Sequence, residues 1–485
     1  MSIIKKSLTA IICCFILSSC IDEHVTYIGD VATITPNYYA FAAIKTDGSV
    51  VAWGERSYGG DISNVSHKLK TNVSQIFSTK SAFAALKNDG SVVTWGDSDS
   101  GGTAEFYTYA ENSNSNDNSE IFLTSVADKL TNNITYIYSN AAAFAALKND
   151  GSVVTWGSLN SGGGSTINGR DSVAAKLTNN VTKIYSTLHA FAALKSDGSV
   201  VTWGDSSYGG SSPSNLLSGN VIDIYTNENV FVALKSDGSV VTWGNAENGG
   251  DKGIYSYINN ETILSGDVTN ELSSNIVNIL STNKFFAAVK TDGSVIFWGT
   301  VGDIAEVADQ LINDVSNVYA FEYAFAALKT DGSAVFWKNS KTEYYYATEE
   351  DIDFVENASS ILGNDIVDIY STNEFYFRDF TVLKADGSLF TWGNYNLSEA
   401  DEAIINDNDI GINKISHYVT SPYTDMDDYV ALKSDGSVIT WDSNSVGFQD
   451  AEMANFLASG VVEIYSNNNL FVALKENGLA ITWMD

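Results

Sequence analysis

Residues Ala190–Gly204 read A-F-A-A-L-K-S-D-G-S-V-V-T-W-G, and similar phrases recur ten times along the 485 residues of the chain. The copies follow one another at a period of about 48 residues, which is typical of a β-propeller or a solenoid, where no unit buries its apolar faces without a neighbour. The ten tryptophans of the sequence each close one copy and are predicted to be structural residues of the repeat: Trp53, Trp95, Trp156, Trp203, Trp243, Trp298, Trp337, Trp392, Trp441 and Trp483.

Within this copy, an Asp-Gly pair separates two runs of residues that favour β-strands. Asp-Gly between such runs predicts an antiparallel hairpin with a type I′ turn, which needs positive φ at both central residues. A two-residue turn would set Ala192 opposite Trp203, so that a small side chain makes room for a large ring. Both faces of the strands are apolar, which predicts cover on both sides by neighbouring blades.

The predicted fold class is therefore all-β: a propeller-like array of about ten three- to four-stranded blades over residues 28–485. Propellers usually have four to eight blades, so one large ring and two smaller propellers are both compatible with the sequence. Copies one to five carry Gly-Gly after the tryptophan and copies six to ten do not. This difference is compatible with two sub-arrays of five copies or with sequence drift in the second half. Residues 25–28, or the neighbouring residues 31–35, are expected to pair with the last blade and close the ring.

The first twenty residues have the composition of a targeting segment. Two lysines precede an apolar run, Leu8–Leu17, that is too short to span a bilayer as a mature helix. The run ends in Leu-Ser-Ser-Cys, which resembles the lipobox of bacterial lipoproteins. The resemblance implies a signal peptide over residues 1–19 that is removed, lipidation at Cys20, and a short linker over residues 20–27. Ile21 rather than Asp after the cysteine implies, for Gram-negative lipoproteins, the outer membrane of the bacterial cell envelope.

The chain is strongly acidic, with 59 Asp and Glu against 26 Lys and Arg and a net charge of −33. Loss of residues 1–19, which include two lysines and no acidic residue, would make this −35. Such a field repels nucleic acid and anionic lipid head groups, and the three scattered arginines offer no clamp for phosphates. Nucleic acid is therefore excluded as a partner, and the membrane is reached through the N-terminal lipid.

The pattern D-G-x-V-x-x-W-G, with a preceding Ala-Leu and a trailing S-Y-G-G, resembles the regulator of chromosome condensation family of β-propellers. The resemblance covers about residues 28–485. One departure is Phe191-Ala192, which stands where the family has His and Ser or Thr. The family's best-known member is an exchange factor for a nuclear small GTPase, but a secreted acidic lipoprotein does not meet that protein. No small GTPase is therefore expected as a partner.

No catalytic residue is predicted, because the sequence contains no G-x-S-x-G, P-loop or dinucleotide-binding motif. The four histidines lack zinc-ligand spacing. Two acidic stretches resemble pieces of calcium loops, although the first lacks the closing Glu. The candidate metal ligands are Asp407, Asp409, Asp425 and Asp427. The sequence predicts no cofactor, and calcium at these aspartates is the alternative.

The variable connectors between repeats are where ligand specificity is expected, because loops on a repeated frame tolerate change. Exposed aromatic clusters anchor partners, and the tyrosines that break the repeat pattern are Tyr107, Tyr109, Tyr344, Tyr345 and Tyr346. The favoured function is a membrane-anchored, non-enzymatic scaffold that binds a protein or surface polymer through its connectors. The alternative is a propeller that binds or processes glycans at its central channel, with or without calcium.

Overall fold

The protein is described by a computed structural model that covers residues 26–109, 121–164, 173–213, 215–258, 261–320, 324–338, 358, 362–371, 380–392, 412–419, 427–441, 451–468 and 470–483. The chain is almost entirely β-sheet, as the repeat predicts. Each repeat forms one antiparallel blade in which the first strand pairs with the second and the second with the third. The ten blades are numbered in chain order.

The strands of the blades are short and evenly sized. The first strands are Val31–Pro36, Val73–Ser78, Ile134–Ser139, Val181–Ser186, Val221–Thr226, Ile276–Ser281, Val315–Ala320, Ile366–Ser371, Ile412–Val419 and Val461–Ser466. The second strands are Ala40–Lys45, Ala82–Lys87, Ala143–Lys148, Ala190–Lys195, Val230–Lys235, Phe285–Lys290, Ala324–Lys329, Phe380–Lys384, Asp427–Lys433 and Phe471–Lys475. The third strands are Val50–Gly54, Val92–Gly96, Val153–Gly157, Val200–Gly204, Val240–Gly244, Val295–Thr300, Ala334–Lys338, Leu389–Trp392, Val438–Trp441 and Ala480–Trp483.

The connectors between blades hold the remaining elements. Their short helices are Arg56–Tyr58, Ser66–Lys68, Ser98–Ser100, Ala127–Leu130, Leu159–Ser161, Val173–Lys176, Ser206–Tyr208, Ala246–Gly250, Glu271–Ser273, Ile304–Glu306, Ala308–Gln310 and Ala451–Phe456. One connector forms a separate hairpin, Glu105–Tyr109 with Ile121–Ser125. Another forms Gly253–Ile258 and Glu261–Asp267, and its first strand adds in parallel to the third strand of blade 6. Blade 6 is therefore five-stranded, one strand more than the sequence predicts.

The register of the repeated hairpin differs from the prediction by one residue. Phe191, not Ala192, lies opposite Trp203, and the two rings stack with their centroids 5.3 Å apart. The cause is the turn: Gly198 has positive φ but Asp197 does not, so the loop has three residues and not two. The predicted type I′ turn and the predicted pairing of a small residue with the tryptophan are therefore wrong.

Small residues do make room for the tryptophan, but they belong to the neighbouring blade. Trp203 and Phe191 of blade 4 pack against Ala143 and Ala145 of blade 3, which are fully buried. Ala192, on the other face of the same strand, packs against blade 5. Each sheet is thus covered on both sides, as its two apolar faces predict. Removing this much apolar surface from water is the main force that holds adjacent blades together.

A hydrogen bond between blades accompanies this packing. The indole N–H of Trp243 in blade 5 donates to the backbone carbonyl of Gly209, 3.0 Å away, in the turn that follows the tryptophan of blade 4. We call this contact the interblade indole bond. Equivalent bonds of 3.0 to 3.1 Å join Trp95 to Gly59, Trp156 to Gly101 and Trp298 to Gly249. The Gly-Gly pair is therefore the acceptor site for the next blade's tryptophan at four junctions, whereas the buried indole N–H of Trp203 has no hydrogen-bond partner among the described residues.

The change in sequence after the fifth copy does not divide the structure. Val301 of blade 6 takes the place of the glycine and accepts the indole N–H of Trp337 at 2.7 Å. One apolar cluster spans blades 5 and 6 without interruption. The two forms of the turn are therefore two ways of making the same contact.

The ring closes between its first and last blades. Residues Thr26–Ile28 pair antiparallel with Ala480–Trp483 and give blade 10 a fourth strand, which confirms the predicted closure. The N–H of Val31 in blade 1 donates to the carbonyl of Gly478 in blade 10, 2.8 Å away, and a shared apolar cluster joins the two blades. Such clusters also join blades 1 to 8 in sequence and blade 9 to blade 10. Within the described residues, blades 9 and 10 and blades 1 to 8 are thus joined into one continuous array.

Replacing the indole is expected to weaken the ring. Trp243→Ala removes a side chain that is 4% exposed and should lower the free energy of unfolding by about 3–5 kcal/mol. Trp243→Phe keeps part of the ring volume but leaves the Gly209 carbonyl without its donor, so it should fall between wild type and alanine. Urea unfolding followed by fluorescence and circular dichroism measures both, and equal stability of the three proteins would contradict the assigned contact.

The turn glycine should tolerate no side chain. A Cβ at Gly209 would lie 2.6 Å from a ring carbon of Phe231, and its φ of +88° disfavours any other residue, so Gly209→Ala should cost about 2 kcal/mol or more. Gly219→Ala is the matched control, because a Cβ there meets only the Asp197 carbonyl at 3.6 Å. Thermal unfolding should separate the two variants, and similar losses in both would argue against the tight approach at Gly209.

Candidate functional site

The loops between the first and second strands of blades 10 and 1 to 5 lie close together. The first strand of a blade contacts the first or the second strand of the preceding blade, so the first strands lie where neighbouring blades come closest. Six of the loops surround a single cavity of about 680 Å³, which we call the central mouth. Its loops come from blades 10 and 1 to 5 and comprise residues 466–468, 36–38, 78–80, 139–141, 186–188 and 226–228.

The third residue of each loop joins a continuous chain of backbone hydrogen bonds, which we call the belt. Each belt residue except the last donates its N–H to the carbonyl of the next blade's belt residue, which makes five bonds of 2.9 to 3.2 Å. In order, the belt residues are Asn468, Tyr38, Lys80, Ala141, Leu188 and Glu228. Since both backbone groups are used, the belt fixes the spacing of the loop tips whatever side chains they carry.

The second residue of each loop clamps the loop to its own blade. The Asn140 side chain accepts the N–H of Ala143 at 2.9 Å and donates to the carbonyl of Ser161 at 2.8 Å. Thr187 makes the same pair of contacts, with the N–H of Ala190 and the carbonyl of Tyr208. These clamp residues are nearly buried and serve the fold: Asn37, Thr79, Asn140, Thr187 and Asn467.

The belt side chains are the part of the mouth that varies. Tyr38 is 39% exposed, Glu228 is also exposed, and Lys80, Leu188 and Asn468 are half-buried. The Nζ of Lys80 lies 4.8 Å from the centre of the Tyr38 ring, close enough for a cation–π contact. The mouth therefore offers an aromatic ring, an aliphatic side chain, an amide and one charge of each sign on a fixed backbone.

A histidine lies directly beside the belt. The Nδ1 of His189 is 2.9 Å from the Ser161 hydroxyl, and its ring meets the Tyr208 ring edge-on at 4.6 Å. Burial, and then the positive charge of Lys80, lower the pKa of His189, while Asp205 opposes them. Ser161 is only 2% exposed, so its hydroxyl holds the imidazole in place and is not presented to a substrate. The pair therefore positions the loop.

Most residues singled out from the sequence lie elsewhere. Tyr107 and Tyr109 are on the connector hairpin, but their side chains are outside the described part, as are Tyr344, Tyr345 and Tyr346. Cys20, Asp407, Asp409 and Asp425 also lie outside the described residues. Asp427 begins the second strand of blade 9 opposite Val419, and its side chain is not described. These assignments remain predictions.

The belt was not predicted from the sequence, because the residues that determine ligand specificity were expected in the long connectors. Its signal is present in the repeat: after nine of the ten first strands, Asn or Thr is followed by a residue that changes from copy to copy. Among the described residues no cluster of three or more potential metal ligands occurs. No helix within the same ranges has the length and apolar character to cross a bilayer.

No protein-family model matches the chain. No curated protein matches it either. Among solved structures it is similar to Prp20p from Saccharomyces cerevisiae, studied for its binding to Gsp1p and histones (17% identity, 56% of this chain and 72% of that chain, TM-score 0.30). Yeast RCC1 (Prp20) bound to Kap60 matches at 14% identity over 73% and 80% of the chains (TM-score 0.30). The CRINKLY WD40 ectodomain of the Arabidopsis thaliana receptor kinase ACR4 matches at 15% over 65% and 98% (TM-score 0.29). Similarity at this level carries no information about function.

His189 should report on the charge at the mouth. Its pKa is expected below the usual 6.5, and Lys80→Met should raise it because the repelling charge is removed. Carbon-13 NMR of histidine-labelled protein measures the titration, with His189→Gln to assign the signal. Lys70→Met, an equal change of charge at an exposed connector residue, is the control and should leave the value unchanged. A His189 pKa at or above 6.5 would contradict the packing described.

Proposed function

We propose that this protein is a non-enzymatic scaffold, held at the bacterial envelope by a lipid on Cys20, whose central mouth binds a segment of another protein. One observation carries the proposal: six loop tips are fixed by the belt while their side chains vary and face one cavity. Because the backbone is ordered when the ring folds, binding need not include the cost of ordering these loops.

The side chains at the mouth suit a protein ligand. Tyrosine is enriched in the cores of protein interfaces, and Tyr38 stands beside the aliphatic Leu188 and the amide of Asn468. Of the described residues that line the cavity, Glu228 is the only carboxylate. Glycoside hydrolysis generally requires two carboxyl groups across the bond, so this lining does not favour a glycan-processing site. Glycan binding without hydrolysis is the alternative that an experiment must separate.

The connectors keep one observation in their favour. A second cavity of about 710 Å³ lies where the connector after blade 2 leaves the third strand, between Val92 and Thr103. In blades 1, 3 and 4 a connector leucine carbonyl accepts the first N–H of the third strand, as from Val200 to Leu217. Val92 makes no such bond within the described residues. This groove is the connector surface to compare with the mouth.

The binding site can be located with peptides selected from a random phage-displayed library on the full mature protein. Truncation of central interface residues typically lowers affinity by a factor of ten or more. We therefore expect an affinity for the selected peptides about tenfold lower in the triple variant Tyr38→Ala, Lys80→Ala and Leu188→Ala. The belt uses backbone atoms only, so the variant should keep the wild-type melting temperature.

A matched control changes three exposed connector residues. Leu216, Leu264 and Ile312 are 50 to 58% exposed, and a triple alanine variant at these positions should keep peptide affinity. Loss of binding in this control alone would move the site to the connectors. A library that yields no peptide, together with binding on a glycan array, would replace the proposal with the glycan alternative.

The anchor is tested separately, since it rests on residues 17–20 and not on the ring. Mass spectrometry of the N-terminal peptide should find acylated Cys20 at the start of the mature chain. Retention of residues 1–19 would contradict the lipid anchor without touching the binding proposal.

A further inference from the structure

The charges of the mouth point to the kind of segment it takes. We infer that the ligand is an extended protein segment with an acidic residue and a basic residue about four positions apart and an apolar residue between them. The acidic residue meets Lys80, the basic residue meets Glu228, and the apolar residue lies over Leu188. This inference rests on the proposed function.

The first step is that the mouth has a polarity. Of the eighteen described residues that line the cavity, Lys80 and Glu228 are the only two with a formal charge. They belong to blades 2 and 5, and the belt residues between them, Ala141 and Leu188, are uncharged and apolar. A positive end, an apolar centre and a negative end therefore follow one another along the belt.

The second step is that both charges are available to a ligand. Neither Lys80 nor Glu228 forms an ion pair with any residue in the described part of the chain. The Lys80 ammonium lies over the Tyr38 ring. This contact covers one side of the ammonium, and a carboxylate of the ligand can bind on the other side. Burial, and then the charge of Lys80, lower the pKa of His189, which disfavours a second positive charge beside Lys80.

The third step is the spacing. Three belt steps separate Lys80 from Glu228, and hydrogen-bonded strands lie about 4.8 Å apart, so the two backbones are roughly 14 Å apart along the belt. An extended chain advances about 3.4 Å per residue and covers this length in about four residues. Acidic and basic side chains at positions i and i+4 of an extended segment therefore match the two charges.

The local balance of charge matters because the whole protein is strongly acidic. A net charge of −33 attracts cations everywhere on the surface and selects no sequence. An acidic ligand residue is favoured only where a lysine such as Lys80 offsets that field at short range. Selection at the mouth should therefore yield peptides near neutrality, whereas attraction by the overall field would yield basic peptides.

The experiment repeats the peptide selection on two charge-reversal variants. On wild type the enriched peptides should carry one acidic and one basic residue about four positions apart. On Lys80→Glu they should carry two basic residues at these positions, and on Glu228→Lys two acidic ones. Peptides selected on wild type should lose at least about tenfold in affinity for Lys80→Glu and regain it when their own acidic residue is changed to lysine.

The controls separate this inference from the proposed function. Lys70→Glu and Glu271→Lys make the same changes of charge at exposed connector residues and should select the wild-type pattern. If peptides are enriched but their charges do not follow the reversals at the mouth, the inference is wrong and the binding scaffold stands. If no peptide is enriched on any of these proteins, the proposed function itself fails.

Discussion

The bond from a tryptophan indole to the turn of the preceding blade, together with the apolar packing around it, is the contact on which this ring depends. The hydrogen bond occurs with nearly constant length at Trp95, Trp156, Trp243 and Trp298, and at Trp337 a valine carbonyl is the acceptor. At these five junctions one blade supplies the acceptor and the next blade supplies the donor. The buried indole N–H groups of Trp53 and Trp203 have no hydrogen-bond partner among the described residues, so apolar packing holds these two rings. No blade therefore buries its apolar faces alone, which is the physical reason that the module is repeated along the chain.

The sequence predicted what this constraint dictates. Two apolar faces on each strand required cover on both sides, and the structure supplies it from adjacent blades. Exposed edges at the ends of the array required closure, and residues Thr26–Ile28 provide it. The details of the hairpin were not decided by the same signals, because D-G-S fits both a two-residue and a three-residue loop. In the structure the Asp197 carboxylate accepts the N–H and the hydroxyl of Ser199, which goes with the longer loop.

The candidate site was harder to predict because it is made by the spacing of blades. Four of the belt's backbone bonds join residues about 40 to 60 positions apart, and the fifth joins Asn468 to Tyr38 at opposite ends of the repeat array. A backbone bond leaves no mark on residue type. The belt residues therefore range from Ala141 to Glu228. What the sequence does mark is the clamp, such as Asn140 and Thr187, whose side chains serve the fold. Within each loop, the side chain of the clamp residue thus stabilises the fold, and the side chain of the adjacent belt residue is available for binding.

The strand that closes the ring also has a mechanical meaning. Residues Thr26–Ile28 are joined to Ala480–Trp483 by three residue pairs, and they lie between the N-terminal segment and the first blade. Tension applied at the N terminus reaches the ring through this short pairing before it reaches any blade hairpin. The strand can peel away while blade 10 keeps its own three strands, so this short pairing opens first, and the load then passes to the first strand of blade 1.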